Sequence, residues 1–385
     1  MIISILGMAG RDWKTKKKSS IYYDCSILKK KSGDFCNSVD VLLSSYDDEF
    51  YFIGTQMAID FQKELLDFKD KKCYFVVVED DSLDDIFEKI LELLQESKET
   101  ILDITHGFRH QPIMAIFAST LSQFLDRKDL KIVYAKEKER LLSYEYIYLN
   151  EYIEITQISL LLTGFIRTLN FVPVENMKLL NNKLFEDFSK SLLSNDLKGV
   201  EKNYELLSAE LRGLKKNEEL KHISNLIEKV ETELRPLALF APLLHFQKYI
   251  FLAKLTVEKN YIIVAYAYIF ESLREYCAYR FEDICSSIEF KDDYAKNQAV
   301  MTTIGNFHWA NFGTEILKKH KGIYKKNKTE FKEVQKLYDK IRKRRNALAH
   351  INKTKDFEDI KRDLKKIIAK VEVLYNAETL KTIVY

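Results

Sequence analysis

Short apolar runs open the chain, separated by stretches whose apolar residues recur every three or four positions. MIISILGM, EFYFIG, CYFVVVED, ETILDI and LKIVYA predict strands, and VDVLLSS a further one, while TQMAIDFQKELLDF, SLDDIFEKILELLQES and QPIMAIFASTLSQFL predict amphipathic helices between them. Strands that alternate with helices imply βαβ units and a mostly parallel sheet. SYEYIYLN alternates with a period of two and predicts an edge hairpin. From about Tyr152 the period becomes helical and stays so. EYIEITQISLLLTGFIRTLNF runs up to Pro173, residues 200–234 are charged and amphipathic, and Pro236 and Pro242 interrupt them. LLHFQKYIFLAKLTVEK, YIIVAYAYIFESLREYCAYRFEDIC, EFKEVQKLYDKIRKRRNALAHI and FEDIKRDLKKIIAKVEVLY then predict four more helices. The expected fold class is α/β plus all-α, divided as residues 1–155, 156–235 and 236–385, with the middle portion a helical linker or insertion.

Composition narrows this picture. At 385 residues, with 46% hydrophobic and 31% charged residues, 11 Gly and 4 Pro, the chain is too apolar and too poor in breakers to be disordered. No apolar run approaches the ~18 residues that span a bilayer, and the N-terminal run is short for a signal sequence, so a cytoplasmic protein is expected. Cys25, Cys36, Cys73, Cys277 and Cys285 have no C-x-x-C spacing and predict ordinary thiols rather than a disulfide framework or a zinc site. The net charge of +3 hides an asymmetry, because residues 318–355 hold 15 Lys and Arg against 3 Asp and Glu. A block of this kind is either a solvated helical face or the footprint of a phosphate-backbone partner.

The densest chemistry lies at Asp103-Ile104-Thr105-His106-Gly107-Phe108-Arg109-His110-Gln111-Pro112, between a strand and a helix. Open α/β sheets bind ligands at the carboxyl ends of their strands, where a helix N-terminus offers N–H groups to phosphate. Gly107 permits close backbone approach, Arg109 can fork two hydrogen bonds, and Thr105, His106 and His110 add donors. The plainer alternative is a capped helix start. Gly54-Thr55-Gln56 occupies the equivalent place after EFYFI, with Thr55 an N-cap or a second ligand contact, and Gly7-Met8-Ala9-Gly10 follows the first strand. The sequence lacks G-x-G-x-x-G, which argues against a dinucleotide redox cofactor and leaves another phosphate-rich ligand open.

Leu6-Gly7, Phe52-Ile53-Gly54-Thr55, the Asp-Ile-Thr-His-Gly-Phe-Arg run at 103–109 and Ile132-Val133-Tyr134 together resemble the CARF domain of CRISPR-associated proteins, over roughly residues 1–170. Ala135 stands where relatives tend to carry Gly, and residues 175–235 match nothing in that family. The resemblance implies a Rossmann-like sensor of a cyclic oligoadenylate second messenger, tetra-adenylate favoured over hexa-adenylate, with no cofactor. Its implied contacts are Gly7, Met8, Gly54, Thr55, Thr105, His106, Gly107, Phe108 and Arg109.

In the basic block, Arg345-Asn346-Ala347-Leu348-Ala349-His350 is similar to the Arg, four to six residues, His motif of HEPN ribonucleases. That spacing is a cheap pattern alone; the polar Asn346, the helical back half and the upstream sensor give it context. The resemblance implies a dimeric, allosteric endoribonuclease of type III CRISPR antiviral defence acting on single-stranded RNA, with Arg345, His350 and Asn346 at its catalytic site. An imidazole such as His350 can move protons near neutral pH, and Arg345 can brace charge on a phosphorane. These two are five residues apart, about 140° around a regular helix, so a second subunit or a locally ended helix is needed to bring them together. Arg342, Lys343 and Arg344 hold RNA phosphates or form a solvated face. Glu271 and Arg274 support the site or form a surface pair. No His, Cys and Asp cluster has metal-ligand spacing, so metal-independent cleavage by 2′-OH attack is expected. Two alternatives are a nucleotide-sensing regulator that holds nucleic acid without cutting it, and a sensor domain that itself degrades the cyclic nucleotide.

Overall fold

The computed structural model describes residues 1–12, 14–79, 82–97, 99–125, 129–140, 142–174, 177–305, 314–349 and 356–383. Two compact units form, Met1–Leu160 with Val174–Leu179, and Leu161–Pro173 with Leu180–Tyr385.

The first unit carries β1 (Ile2–Ile5), β2 (Ile21–Asp24), β3 (Gly33–Phe35), α1 (Ser38–Ser45), β4 (Glu49–Gly54), α2 (Gln56–Leu65), β5 (Lys72–Val77), α3 (Leu83–Glu96), β6 (Glu99–Asp103), α4 (His110–Leu125), β7 (Asp129–Glu139), β8 (Ser143–Tyr148) and the start of α5 (Asn150–Thr168). The strands make one eight-stranded sheet in the order β3-β2-β8-β7-β6-β1-β4-β5. β2 with β3 and β7 with β8 run antiparallel; the other pairs are parallel. Helices cover both faces. Ile3, Ile5 and Ile53 pack with α3, α4 and α5 on one side, while Ile2, Phe50 and Phe52 pack with α1 and α2 on the other. Burial on both faces explains why β1 and β4 are continuous apolar runs rather than alternating ones. The strand order reverses beside β1, with β4 and β5 on one flank and β6 and β7 on the other. The carboxyl end of the β1–β6 pair is therefore the switch point where such sheets accept ligands.

Two local expectations are corrected. VDVLLSS is helical, not a strand: Asn37 caps α1 by accepting the backbone N–H of Asp40 at 3.0 Å, and Val39, Leu42 and Leu43 share the buried face. SYEYIYLN does pair antiparallel with β7, but it is not the edge, because β2 and β3 extend the sheet beyond it. Their sequences, IYYD and GDF, are too short to show a period. Tyr23 anchors them, buried and stacked on Tyr144 with ring centroids 5.2 Å apart.

In the second unit α6 (Asn182–Leu193), α7 (Leu197–Leu214), α8 (Ser224–Leu234), α9 (His245–Glu258), α10 (Ile262–Arg280), α11 (Glu282–Cys285), α12 (Asp293–Gly305), α13 (Thr314–Lys319), α14 (Ile323–Lys326), α15 (Lys328–Ala349) and α16 (Phe357–Asn376) follow the end of α5. Pro236 sits in a short 3₁₀ turn, Arg235–Leu239. The run YIIVAYAYIF has apolar residues on every side because α10 is the central helix, touching α9, α12, α15 and α16. Tyr266 and Tyr268 are core residues there. All five cysteines are free thiols, and burial pushes Cys25 and Cys285 up to about 11 and Cys36 up to about 12. No described helix is long and apolar enough to cross a membrane.

Candidate functional sites

At the carboxyl end of β6 the Asp103 carboxylate is fully buried and accepts four hydrogen bonds. Ser4 Oγ of β1 and Ser38 Oγ of α1 donate to Oδ2 at 2.9 Å each; Thr105 gives Oδ1 its backbone N–H at 3.1 Å and its hydroxyl as well. Thr105 Oγ1 also accepts the Ala135 N–H at 2.9 Å, so its hydroxyl is occupied on both counts. The neighbouring His106 accepts, through Nε2, the Ser38 N–H at the first turn of α1, 3.4 Å away. Burial holds its imidazole below the ordinary value of 6.5, against an opposing pull from Asp103. Thr105 and His106, both half-buried, thus hold the loop together through these bonds. Gln111 completes it, buried, with Oε1 accepting the Phe108 N–H at 3.0 Å.

The glycines let the loops meet. Gly107 has φ +102°, and a Cβ there would lie 2.5 Å from Ile5 Cγ2 and 2.7 Å from Gln111 Oε1. A Cβ on Gly7 would lie 2.9 Å from Gly107 N, so the β1 and β6 loops touch backbone to backbone. A Cβ on Gly54 would lie 2.9 Å from Leu6 Cβ, and Thr55 Oγ1 caps α2 by accepting the Ala58 N–H at 3.3 Å. What these loops present outward is Met8 at 55% exposure, Phe108 at 44% and the exposed guanidinium of Arg109. Loops that expose a cation and two apolar side chains suit a ligand that combines phosphates with aromatic bases.

In the helical unit the Arg345 guanidinium lies over the Phe270 ring of α10, 4.2 Å from its centroid. Arg274, one turn further along α10, is only 6% exposed; it pairs through Nη1 with Glu271 at 3.0 Å and lies 5.7 Å from the same Phe270 ring. The Glu271–Arg274 pair is therefore formed, with the arginine buried and the Glu271 carboxylate half-buried at the protein's edge. The Arg274 guanidinium also lies 5.5 Å from the Tyr294 ring, and its Nε and Nη2, the edge that can grip an oxyanion with two parallel bonds, have no hydrogen-bond partner among the described residues. Tyr338 of α15 packs on Phe270 at 5.1 Å, its phenol raised by burial against the opposing charges of Arg274, Arg342 and Arg345. Phe270 and Tyr338 were not singled out by sequence, where they are indistinguishable from core aromatics.

Along α15, Asn346 and Lys343 are exposed, Arg342 pairs with Asp339 at 3.4 Å, and Arg344 pairs with Asp363 of α16 at 3.2 Å. His350 lies outside the described residues.

No protein-family model matches the chain, and no curated protein matches it in sequence. Among solved structures it is similar to Enterococcus italicus Csm6 bound to cyclic hexa-2'-fluoro-hexa-dAMP, at 12% identity over 99% of this chain and 94% of that one, with a TM-score of 0.40.

Proposed function

We propose that the chain is a nucleotide-gated endoribonuclease in which the first unit binds a cyclic oligoadenylate at the β1–β6 switch point and the second cuts single-stranded RNA. The observation that carries the nuclease half is the pair of arginines on Phe270: two guanidinium groups on one ring, the buried one with a bidentate edge unpaired among the described residues, suit a phosphodiester. In the reaction a ribose 2′-OH attacks the adjacent phosphorus, forming the O2′–P bond and breaking P–O5′. His350 exchanges the protons, Arg345 and Arg274 neutralise charge on the phosphoryl oxygens, and exposed Asn346 orients the strand. The products are a 2′,3′-cyclic phosphate and a 5′-hydroxyl. Arg342, Lys343 and Arg344 lead the strand toward the site, Lys343 most directly because the other two already hold carboxylates.

The active form is proposed to be a homodimer joined at least through α4. Its sixteen residues, HQPIMAIFASTLSQFL, include no Asp, Glu, Lys or Arg, and Ile113, Phe117 and Leu121, four apart, are exposed by 49, 57 and 39%. A charge-free helix with an apolar outer stripe is a surface made to be covered. α4 starts in the sensor loop, so pairing there sets two ligand sites side by side, as a symmetric ring requires. Degradation of the ring by the sensor itself draws less support, since the Thr105 hydroxyl and His106 Nε2 are already engaged.

The test is to incubate the purified protein in EDTA with fluorescent RNA and cyclic tetra- or hexa-adenylate. Cleavage that needs a ring and leaves a cyclic phosphate is the expected result; no ring-dependent cleavage, or cleavage only when magnesium is restored, overturns the reading.

A further inference from the structure

Between β1 and β2 the chain inserts a small basic hairpin that no strand or helix of the fold requires. Residues 11–18, RDWKTKKK, carry five Lys and Arg against one Asp. The hairpin is built rather than loose. Arg11 and Lys18 pair as an antiparallel bridge, Ser19 N–H donates to Gly10 O at 2.9 Å, and Asp12 N–H donates to Lys17 O at 2.8 Å. At its tip Asp12 Oδ1 accepts the N–H groups of Lys14 and Thr15 and the Thr15 hydroxyl. The one acidic side chain thus has one oxygen engaged in the turn and stays ionised, leaving the hairpin a net positive charge.

Its base is fastened by two buried amides. Gln62 Nε2 donates to Gly7 O at 2.6 Å and to Ala9 O at 3.0 Å, and Asn37 Nδ2 donates to Ala9 O at 2.8 Å. Arg11 is tied sideways, to Glu64 at 3.3 Å and over the Phe61 ring at 5.1 Å. Lys14, Lys17 and Lys18 are exposed, and none is paired with a carboxylate among the described residues. The hairpin leaves the sheet at the carboxyl end of β1, where Gly7 packs against Gly107 of the sensor loop.

We infer that this hairpin is a second anion grip of the sensor: Lys14, Lys17 and Lys18 hold phosphodiester oxygens of the ring whose other side rests on Arg109. The inference rests on the proposed sensor function. Fixing the hairpin's backbone in advance spares the ligand the entropy of ordering that segment, and exposed ammonium groups act as point charges whose pull weakens as salt is added.

The experiment measures binding of cyclic tetra-adenylate and cyclic hexa-adenylate to the full chain at 50 and 500 mM NaCl. It compares the wild type, a triple Lys14→Glu, Lys17→Glu, Lys18→Glu variant, and its Gln counterpart, each checked for an unchanged thermal midpoint. The glutamate variant should lose about tenfold or more in affinity at low salt, the glutamine variant less, and the curves should converge at high salt. If the wild type binds a ring and both variants bind it equally well, the hairpin inference fails while the sensor reading stands. If the variants lose RNA binding instead and keep the ring, the inference is likewise overturned. A wild type that binds neither ring removes the sensor reading itself, and the hairpin's assignment with it.

Discussion

Replacing Arg274 by Lys keeps a positive charge on α10 and removes the fork. The two unpaired donors, Nε and Nη2, stand to make two charge-assisted bonds to phosphoryl oxygens, while Nη1 remains with Glu271. Each such bond contributes about 1.5–3 kcal/mol, and a lysine ammonium at the same place recovers one at best. One bond lost corresponds to a fall of roughly 10- to 150-fold in kcat/KM for RNA cleavage. A loss made mainly in the transition state appears in kcat, with KM little changed. The assay is single-turnover cleavage of fluorescent RNA with saturating activator, beside thermal unfolding of the same preparations. A second variant, Glu271→Gln, keeps Arg274 in place and tests whether the fork needs the carboxylate to aim it; a smaller loss is expected. Lys in place of Arg274 with an unchanged midpoint and wild-type kcat/KM would show that the buried guanidinium is a packing element, and the phosphate reading of the pair on Phe270 would fall.

Three further outcomes follow from the geometry. Gly107→Ala places a Cβ 2.5 Å from Ile5 Cγ2 at φ +102°, so about 2–5 kcal/mol of stability should go, roughly 5–15 °C in the midpoint by calorimetry; an unshifted midpoint refutes the close-packing account. His106 has its folded pKa depressed below 6.5, so its contribution is present above that pH and drains as pH falls through and below it. Urea unfolding from pH 7.5 to 5 should therefore show a shallower acid loss in His106→Asn than in the wild type, and parallel slopes count against it. Phe117→Asp puts a charge in the middle of the α4 stripe. With a half-exposed Phe worth about 1–1.5 kcal/mol in each copy, plus the cost of covering a carboxylate, the dimer dissociation constant should rise at least about a hundredfold by analytical ultracentrifugation, and an unchanged constant moves the interface elsewhere.

The sheet and its flanking helices were legible because apolar periodicity is a local property, and the central strands carry it without interruption. β2 and β3 escaped for the opposite reason: four and three residues hold no period, and their place is set by the Tyr23–Tyr144 stack, between residues distant in sequence. VDVLLSS misled because Val-Asp-Val imitates alternation for three positions, whereas the deciding residue, the Asn37 cap, stands outside the run.

The candidate sites divide along the same line. Sequence placed Thr105 and His106 among the ligand contacts because polar side chains in a loop at a strand end suggest chemistry. Their hydrogen-bond partners within the protein are groups that sequence cannot align with them: Ala135 lies 30 positions from Thr105, Ser38 lies 68 from His106, and Ser4 lies 99 from the Asp103 that organises the whole set. Once that inward network is taken away, the outward remainder is small and chemically coherent: Met8, Phe108 and Arg109. The same reasoning separates the arginines of the second unit. Arg342 and Arg344 look the most available in sequence and are already held by Asp339 and Asp363, while Arg274, which resembles half of an ordinary i, i+3 surface pair, is buried on the central α10 with Nε and Nη2 unpaired among the described residues. Burying a cation without completing its hydrogen bonds costs stability, and that cost is the physical ground for proposing a phosphate site at Arg274 and Arg345 rather than at the paired arginines.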